Sequence, residues 1–587
     1  MKWYYGKLLR VNLAEKSYTV DEIPEELFTN YLGGRGLGSY LLLEHVQADI
    51  DPLSEENKVI FTNGFTTGTS MFGSSRYAVF SKSPQTGLFG EATSGGKVAP
   101  ALHSTGYDAI ILEGASAAPV YLEINDREVI FHSAEHLWGK ETYETEDTVL
   151  REVNTPKAQA VVIGPAGENL VSFACIENNY WHSAGRSGIG AVLGSKKVKA
   201  LVFYGESKTS VVNPELLQEL MKEMAATGKD HAGVKAYRRL GTTQMVAAMN
   251  AAKAFPNRYW RDAYYSHWEK ISGETLLENF EVKPTACPKC FISCSKKTTV
   301  KTGRHKGLTI EGPEYETIFV FGGLCLIPEL DEIIYLNDLC DRLGMDTITA
   351  GNLIGLVMEA GQLGRIPVKL EYGDVEGAAQ LLRDIADRRG VGQVLARGIK
   401  EAAKEWGLED LAIHVKGMEP AGYDPRPLKG MGLAYATSSR GACHLRASFY
   451  KPELSGMIDR KTTQGKAEML IDWENRLTIF NTGTLCQFFR DLLEWPNVER
   501  LVYAITGLEY HKDKLSEIAN QIVTNTRIFN AREGATKQED TLPPRFFKEP
   551  VNNGQDRITV EELQFMVDEY YKLRGWDDSG YPVHEEG

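Results

Sequence analysis

A chain of 587 residues is too long to fold around one hydrophobic core, and ordinary domain sizes predict about three domains. Its 42% hydrophobic and 25% charged residues are typical of a soluble globular protein. A formal net charge of -14 argues against nucleic acid or an anionic membrane as main partner, and no apolar run approaches membrane-spanning length.

The first residues, Met1-Lys2-Trp3-Tyr4-Tyr5-Gly6-Lys7, lead into an alternating strand pattern at Leu9, Val11 and Leu13 with no apolar signal core. Eight unevenly spaced cysteines in such a chain are expected as reduced thiols in a cytoplasm. The first two hundred residues alternate short β-type runs with glycine-rich turns, among them Gly33 to Gly38, Gly64 to Gly73 and Gly87 to Gly96. Glycine lets backbone N–H groups come close to a phosphate, although each stretch taken alone reads more simply as a turn. None has the Gly-x-Gly-x-x-Gly spacing of a dinucleotide fold. Arg76 and Arg186 each place a guanidinium among small residues, where its fork suits a phosphate or a cofactor edge. Val198 to Phe203 reads as a closing strand, and the polar stretch Gly205 to Asn213 as a boundary.

From Pro214 the pattern turns helical, with Leu216, Leu217, Leu220 and Met221 at core spacing. Within this helical region Cys287-Pro-Lys-Cys290-Phe-Ile-Ser-Cys294 sets three thiols within eight residues, enough for one loop to turn them toward a common point. Three close sulfurs and one remote thiolate suit an iron-sulfur cubane. Zinc and an inert reduced loop are the alternatives. Next comes Glu311-Gly-Pro-Glu314-Tyr-Glu316-Thr317, where the carboxylates read either as helix-start acids or as acid/base groups. Asp341-Arg-Leu-Gly344-Met345-Asp346 reads locally as a glycine C-cap followed by an aspartate N-cap. A second boundary is expected near Lys416 to Pro420, beyond which Arg440-Gly-Ala-Cys443-His444-Leu-Arg446 gathers a thiol, an imidazole and two guanidiniums. Cys486, after Asn481-Thr-Gly-Thr484-Leu485, is the candidate fourth cluster ligand, and Thr559-x-x-Glu562 signals a last helix through about Leu573.

In this order the stretches resemble the tungsten-containing aldehyde:ferredoxin oxidoreductases over essentially the whole chain. Carrying the resemblance are Gly33 to Gly38, Gly73 to Arg76, Ser94 to Gly96, Ile163 to Glu168 and Ala184 to Lys196, followed by the cysteine loop, Gly312 to Glu316, Asp341 to Asp346, Arg440 to Arg446 and Cys486. Any one is weak alone; together, in the family's order, they are specific. The resemblance implies an α+β multidomain fold: a β-rich N-terminal saddle domain (1–208), a helical domain with the cluster loop and a first pterin loop (209–417), and a helical domain with a catalytic histidine, a second pterin loop and the fourth cluster cysteine (418–587). Implied cofactors are tungsten or molybdenum held by two molybdopterins, a magnesium ion bridging the pterin phosphates, and one 4Fe-4S cluster on Cys287, Cys290, Cys294 and Cys486.

Arg76 falls on the family's arginine between pterin and cluster. Thr93, Ser94, Gly95, Gly185, Arg186 and Arg446 fall on cofactor contacts. Asp341, Gly344, Met345 and Asp346 form the first pterin loop. In the second loop Asn481 replaces an aspartate and Thr484 a glycine, while Leu485 and Cys486 are kept, so a charge-assisted bond to that pterin is lost. A glutamate (Glu314 or Glu316, with Glu311 the remaining candidate) and His444 are the implied catalytic pair. The implied reaction turns aldehydes into carboxylic acids, with electrons leaving to ferredoxin or an iron-sulfur partner subunit. A homo-oligomer and a multi-subunit complex are both compatible. The related tungsten subunits of aryl-coenzyme A ring reductases offer a second reading, low-potential reduction with Cys325 as candidate metal ligand; locally Cys325 reads as a small buried hydrophobe. A zinc-stapled, non-enzymatic scaffold is the third.

Overall fold

A computed structural model describes residues 2–583. Its N-terminal part is two six-stranded sheets packed face to face. The first runs, in spatial order, Ser17–Glu22, Lys7–Asn12, Ala109–Glu113, Val59–Thr62, Tyr77–Lys82 and Phe89–Ser94. Only Lys7–Asn12 and Ala109–Glu113 pair in parallel, with Leu9 opposite Ile110. The second sheet runs His182–Ala184, Ile176–Asn178, Gln159–Val162, Val198–Phe203, Val120–Ile124 and Val129–Ser133, and here Val198–Phe203 and Val120–Ile124 are the parallel pair.

Side chains of a strand alternate between faces, so Leu9, Val11, Phe61, Val79 and Ile110 meet Leu122, Val161, Leu201 and Phe203 in one core between the sheets. Their neighbours Leu8, Ile60, Phe80 and Ile111 point outward under helices Glu25–Tyr31 and Gly34–His45. Burial on both faces is why Ala109 to Leu112 reads as an unbroken apolar run. The stretch Gly33 to Gly38, read from sequence as a turn, is instead the first turn and a half of a helix. A Cβ on Gly36 would meet the Tyr31 carbonyl oxygen at 2.0 Å and one on Gly38 the Phe80 ring at 2.1 Å, so these glycines serve close packing.

The later chain is mainly helical. Helix Pro214–Asp230 starts on an Asn213 cap whose side chain accepts from Leu216 N, and it buries Leu217 and Leu220. With helix Ala232–Leu240 it packs on Lys466–Thr482, Trp495–Thr506 and Lys512–Arg532, more than two hundred residues further on. The largest core joins helices Leu330–Leu343, Thr347–Gln362 and Val375–Ala386 to Lys429–Thr437 and Val560–Arg574, taking in side chains on both sides of residue 417. One departure from the expected helical setting is local. The cysteine loop connects two strands of a small antiparallel sheet, Glu281–Thr285, Ser295–Thr299 and Thr309–Glu311. Ladder bonds fix both ends of a nine-residue loop, as helix ends would not. No helix among the described residues is long and apolar enough to cross a membrane.

Candidate active site

Two cavities adjoin where the edge strands Phe89–Ser94 and His182–Ala184 meet the helical part. The central one, about 360 Å³, is lined by Arg76, Thr93, Gly185, Arg186, Glu314, Glu316, Arg440 and His444, with Tyr237, Tyr315, Tyr423, Tyr450 and Phe488 supplying aromatic wall. The second, about 320 Å³, is lined by all four candidate cluster cysteines together with Ser94, Gly95, Trp181, His182 and Glu311. Arg76, Ser183, Glu314 and Phe488 line both. A more open groove of about 1000 Å³, lined from helices Lys512–Arg532 and Val560–Arg574, contains none of the expected catalytic or ligating residues.

In the cysteine cavity the four thiols surround a space. Among the described residues no three His, Cys, Asp or Glu side chains stand close enough together to hold a single metal ion. All eight cysteines are free. Burial raises the Cys287 thiol, lifts Cys290 to about 11 and pushes Cys294 well up, so cationic iron is what would make thiolates of them. Cys486 reaches the cavity because its N–H donates to the Gly73 carbonyl (2.9 Å). The Gly96 N–H points at Cys287 Sγ (3.4 Å).

Arg76 donates to Thr93 Oγ1 at 2.8 Å and has no carboxylate partner among the described residues, although it lines both cavities. A Cβ on Gly95 would lie 3.2 Å from Cys287 Sγ and 3.5 Å from Arg76 Nη1, so glycine there lets the backbone pass close to both the thiol and the guanidinium. Arg186 joins three parts of the chain: Nε to Asp346 (3.2 Å), Nη1 to the Ala442 carbonyl (3.1 Å) and Nη2 to the Glu419 carbonyl (2.8 Å).

The first expected pterin loop has the cap geometry its sequence suggested. Gly344 ends helix Leu330–Leu343 at φ 75°, and Asp346 caps helix Thr347–Gln362 by accepting from Ile348 N and Thr349 N. The loop is clamped to the N-terminal domain by Cys175 N to Gly344 O (2.9 Å), Asp346 N to Phe173 O (3.2 Å) and a bridge between Ala174 and Met345. Asp341 is buried beside this clamp and accepts from Asn337 Nδ2 at 2.7 Å; burial holds its carboxyl well above the usual range. The second loop keeps the same turn with different residues. Thr484 adopts φ 50°, a left-handed conformation costly for a β-branched side chain, and its hydroxyl meets that of Thr67 at 2.9 Å. Asn481 accepts from Gln487 Nε2 at 3.3 Å while its own Nδ2, buried, has no partner; Leu485 is buried behind it. Gly34 makes room for this loop, since a Cβ there would fall 2.4 Å from the Asn481 carbonyl oxygen.

The three clustered glutamates go to three places. Glu311 lies 3.4 Å from His182 in the cysteine cavity; burial opposes its charge, but His182 together with the Ser295 and Thr285 hydroxyls outweighs that and holds it down to about 2. Glu314 stands at the N-cap position of the short helix Tyr315–Ile318 without a side-chain capping bond, accepts from the Thr242 hydroxyl and lines both cavities. Glu316 Oε1 lies 3.6 Å from His444 Nε2, and its Oε2 accepts from Gly422 N at 2.9 Å. Burial pushes the Glu316 carboxyl up to about 8, while burial and then Arg186, Arg440 and Arg490 hold the imidazole neutral. The His444 ring faces Tyr423 (5.7 Å, 27°), and its Nδ1 has no partner.

Sequence reasoning missed the charge network behind the wall. Glu91, fully buried, pairs with Arg446 and lies 3.5 Å from Arg35, and Arg446 Nε has no partner. A lone carboxylate in the apolar strand Phe89–Ser94 was its one signal. Cys443 accepts from Arg440 Nε (3.2 Å) and Nη2 (3.0 Å) and from Leu445 N (3.3 Å). Burial opposes its charge, but Arg440 and Arg446 prevail and bring the thiol down to about 6. Cys325 donates to the Gly351 carbonyl at 3.4 Å inside the helical core and does not line the central cavity.

A sheet-rich cradle, a thiol-lined cavity and a neighbouring cavity with a buried acid/imidazole pair, the two sharing one arginine, are the features of an oxidoreductase. Residues 8–205 match the family model for the aldehyde ferredoxin oxidoreductase N-terminal domain, and residues 219–586 that for its domains 2 and 3. The chain belongs to the aldehyde ferredoxin oxidoreductase family, and it is an oxidoreductase. It is 35% identical to the tungsten-containing aldehyde ferredoxin oxidoreductase of Pyrococcus furiosus and 36% identical to that of Thermococcus kodakarensis, in each case over 98% of this chain and 97% of the relative. An aliphatic sulfonate oxidoreductase WOR-like subunit of Pyrococcus furiosus is 30% identical over 99% of this chain and 96% of its own. Among solved structures, the active-site complex BamBC of benzoyl coenzyme A reductase matches with TM-score 0.86 and 25% identity, covering 99% of this chain and 96% of that one.

Proposed function

We propose that the protein oxidises aldehydes to carboxylic acids (RCHO + H2O giving RCOOH, two protons and two electrons) in the central cavity, passing the electrons through the cysteine cavity to ferredoxin or an iron-sulfur partner subunit. The observation that carries this reading is the Glu316–His444 pair at 3.6 Å in a cavity that shares Arg76 with the four-cysteine cavity. The residues fit the family's cofactors. Unpartnered buried donors on Arg446 and Asn481, an arginine without a carboxylate and the close backbone approach at Gly95 are what a polar, anionic group needs, and the four thiols suit a 4Fe-4S cluster. When bound by two pterins, tungsten (or molybdenum) supplies a Lewis acid and a two-electron acceptor.

This chain's side chains then handle substrate and protons. The tyrosine and phenylalanine walls bury the aldehyde and exclude bulk water. Glu316, protonated at neutral pH until it gives up its proton, exchanges protons at Oε1 with His444 Nε2 or with the reacting water. Neutral His444 has a free Nδ1 to hold the second proton or orient the carbonyl. Glu314 lies between the two cavities and is the alternative proton carrier. The low-potential reductase reading is weaker, since Cys325 sits against Gly351 in the core. Eight free cysteines support a reducing, cytoplasmic setting.

The test is elemental and pterin analysis of anaerobically purified protein, with viologen reduction assayed on the same sample. About one tungsten, four irons and two pterins per chain with aldehyde-dependent reduction are expected. Zinc without pterin, or no reduction with any aldehyde, would falsify the reading.

A further inference from the structure

Basic residues concentrate where the cysteine loop reaches the surface of this acidic chain. Residues 282–297, the cysteine loop with the adjoining residues of its flanking strands, hold Lys283, Lys289, Lys296 and Lys297 and no carboxylate, and residues 222–240 hold five Lys and Arg against two acids. The second segment packs on the loop, where Arg238 donates to the Phe291 carbonyl at 2.8 Å. Beside the cysteine cavity lies an outer groove of about 300 Å³, and Cys287, Trp181 and His182 line both. Of the four candidate ligands, Cys287 is the one that also lines this outer groove. Lys97 lines this groove, Lys297 lies 5.6 Å over the Trp181 ring, and Lys289 stands within the loop itself, its ammonium on the Thr69 carbonyl (2.8 Å). All three lysines are exposed, and none has a carboxylate partner among the described residues.

We propose that this mouth is the docking surface for a small, acidic, one-electron carrier protein, held by Lys97, Lys289 and Lys297 around Trp181. The inference rests on the reading that electrons leave through the cysteine-bound cluster and names where the acceptor sits. Against a net charge of -14 these unpaired lysines attract an acidic carrier and orient it, while the carboxylates that share the groove are engaged within the chain: Glu146 accepts from Asn179 N and Tyr180 N, Asp147 from the Tyr180 hydroxyl, and Glu311 faces His182. The aromatic pair Tyr180 and Trp181, in edge-to-face contact at 5.5 Å, supplies a rigid apolar centre inside that charged rim. The acceptor takes one electron from the reduced cluster per encounter, so two encounters complete each aldehyde oxidised.

The experiment uses holoenzyme and an aldehyde, with a small acidic bacterial ferredoxin and, separately, methyl viologen as acceptors. Combining Lys97→Glu, Lys289→Glu and Lys297→Glu is expected to lower kcat/KM for ferredoxin by roughly tenfold or more, through KM, while the rate with viologen, a small cation, does not fall. The wild-type ferredoxin rate is expected to drop steeply with added KCl. A ferredoxin rate indifferent to both salt and charge reversal overturns the proposal, as does a viologen rate that falls in parallel. If wild-type enzyme reduces no dye with any aldehyde, the functional reading fails separately. Retention of the same ferredoxin on immobilised protein then scores the docking surface: salt-sensitive retention lost in the triple variant supports it, and equal retention overturns it.

Discussion

Glu316 is buried against Tyr423 and the Gly422 amide, and its carboxyl titrates near 8. Its folded value lies above the unfolded one, so the native state binds the extra proton. The neutral carboxyl's contribution to stability is whole below about pH 4.5 and is lost as pH rises through 8. Glu316→Gln is therefore expected to cost about 10² to 10⁴ in kcat/KM, yet to raise the melting midpoint relative to wild type above pH 8. Steady-state rates and melts of the two proteins across pH check both parts. The sign is opposite for Cys443, whose folded value of about 6 lies below the ordinary 9. Its contribution as thiolate partner of Arg440 is present above pH 9 and fades as pH falls through 6. Cys443→Ser is expected to destabilise by about 3 kcal/mol at alkaline pH, because a buried guanidinium loses its anion. The gap should shrink toward pH 5.5 in denaturant titrations, and a gap flat in pH would rule out the thiolate.

At the scale of elements, the two pterin-loop candidates are the same turn made with different residues. Gly344 meets the left-handed φ without strain, whereas Thr484 pays for it and is held by Thr67, with Gly64 leaving room for its backbone. The Asp-x-x-Gly pattern was legible in the first loop; in the second only order in the chain and Leu485-Cys486 identified it. What fixes the first loop in place was not legible. A Cβ on Gly164 would sit 2.3 Å from the Leu343 carbonyl oxygen, so Gly164 sets how closely loop and N-terminal domain approach. Gly164→Ala is expected to push the loop off Phe173–Cys175 and to lower pterin and tungsten per chain by more than half, as pterin release and metal analysis would show.

For the whole molecule, the site is a meeting of distant segments. Cys486 closes a ring begun at Cys287, and Arg186 ties an N-terminal turn to Asp346 and Glu419. If Cys486 completes the proposed cluster, Cys486→Ser is expected to leave fewer than about two irons per chain and to expose residues 286–294 to protease, because the loop would lose the group proposed to tether it. Iron analysis and limited proteolysis report the two effects.

By itself the sequence determined the β-rich start and the mainly helical remainder, the caps at Gly344, Asp346 and Thr559, the run of three close thiols and the family, because these depend on residue types at short spacing. Only the tertiary structure decided which glutamate stands beside His444, that Arg76 lines both cavities, and that Cys443 and Glu91 supply buried anions to the arginines. Those are choices among groups of the same chemistry, separated by one to hundreds of residues. Burial and distance to a partner make them, and neither is a property of a residue's neighbours in sequence.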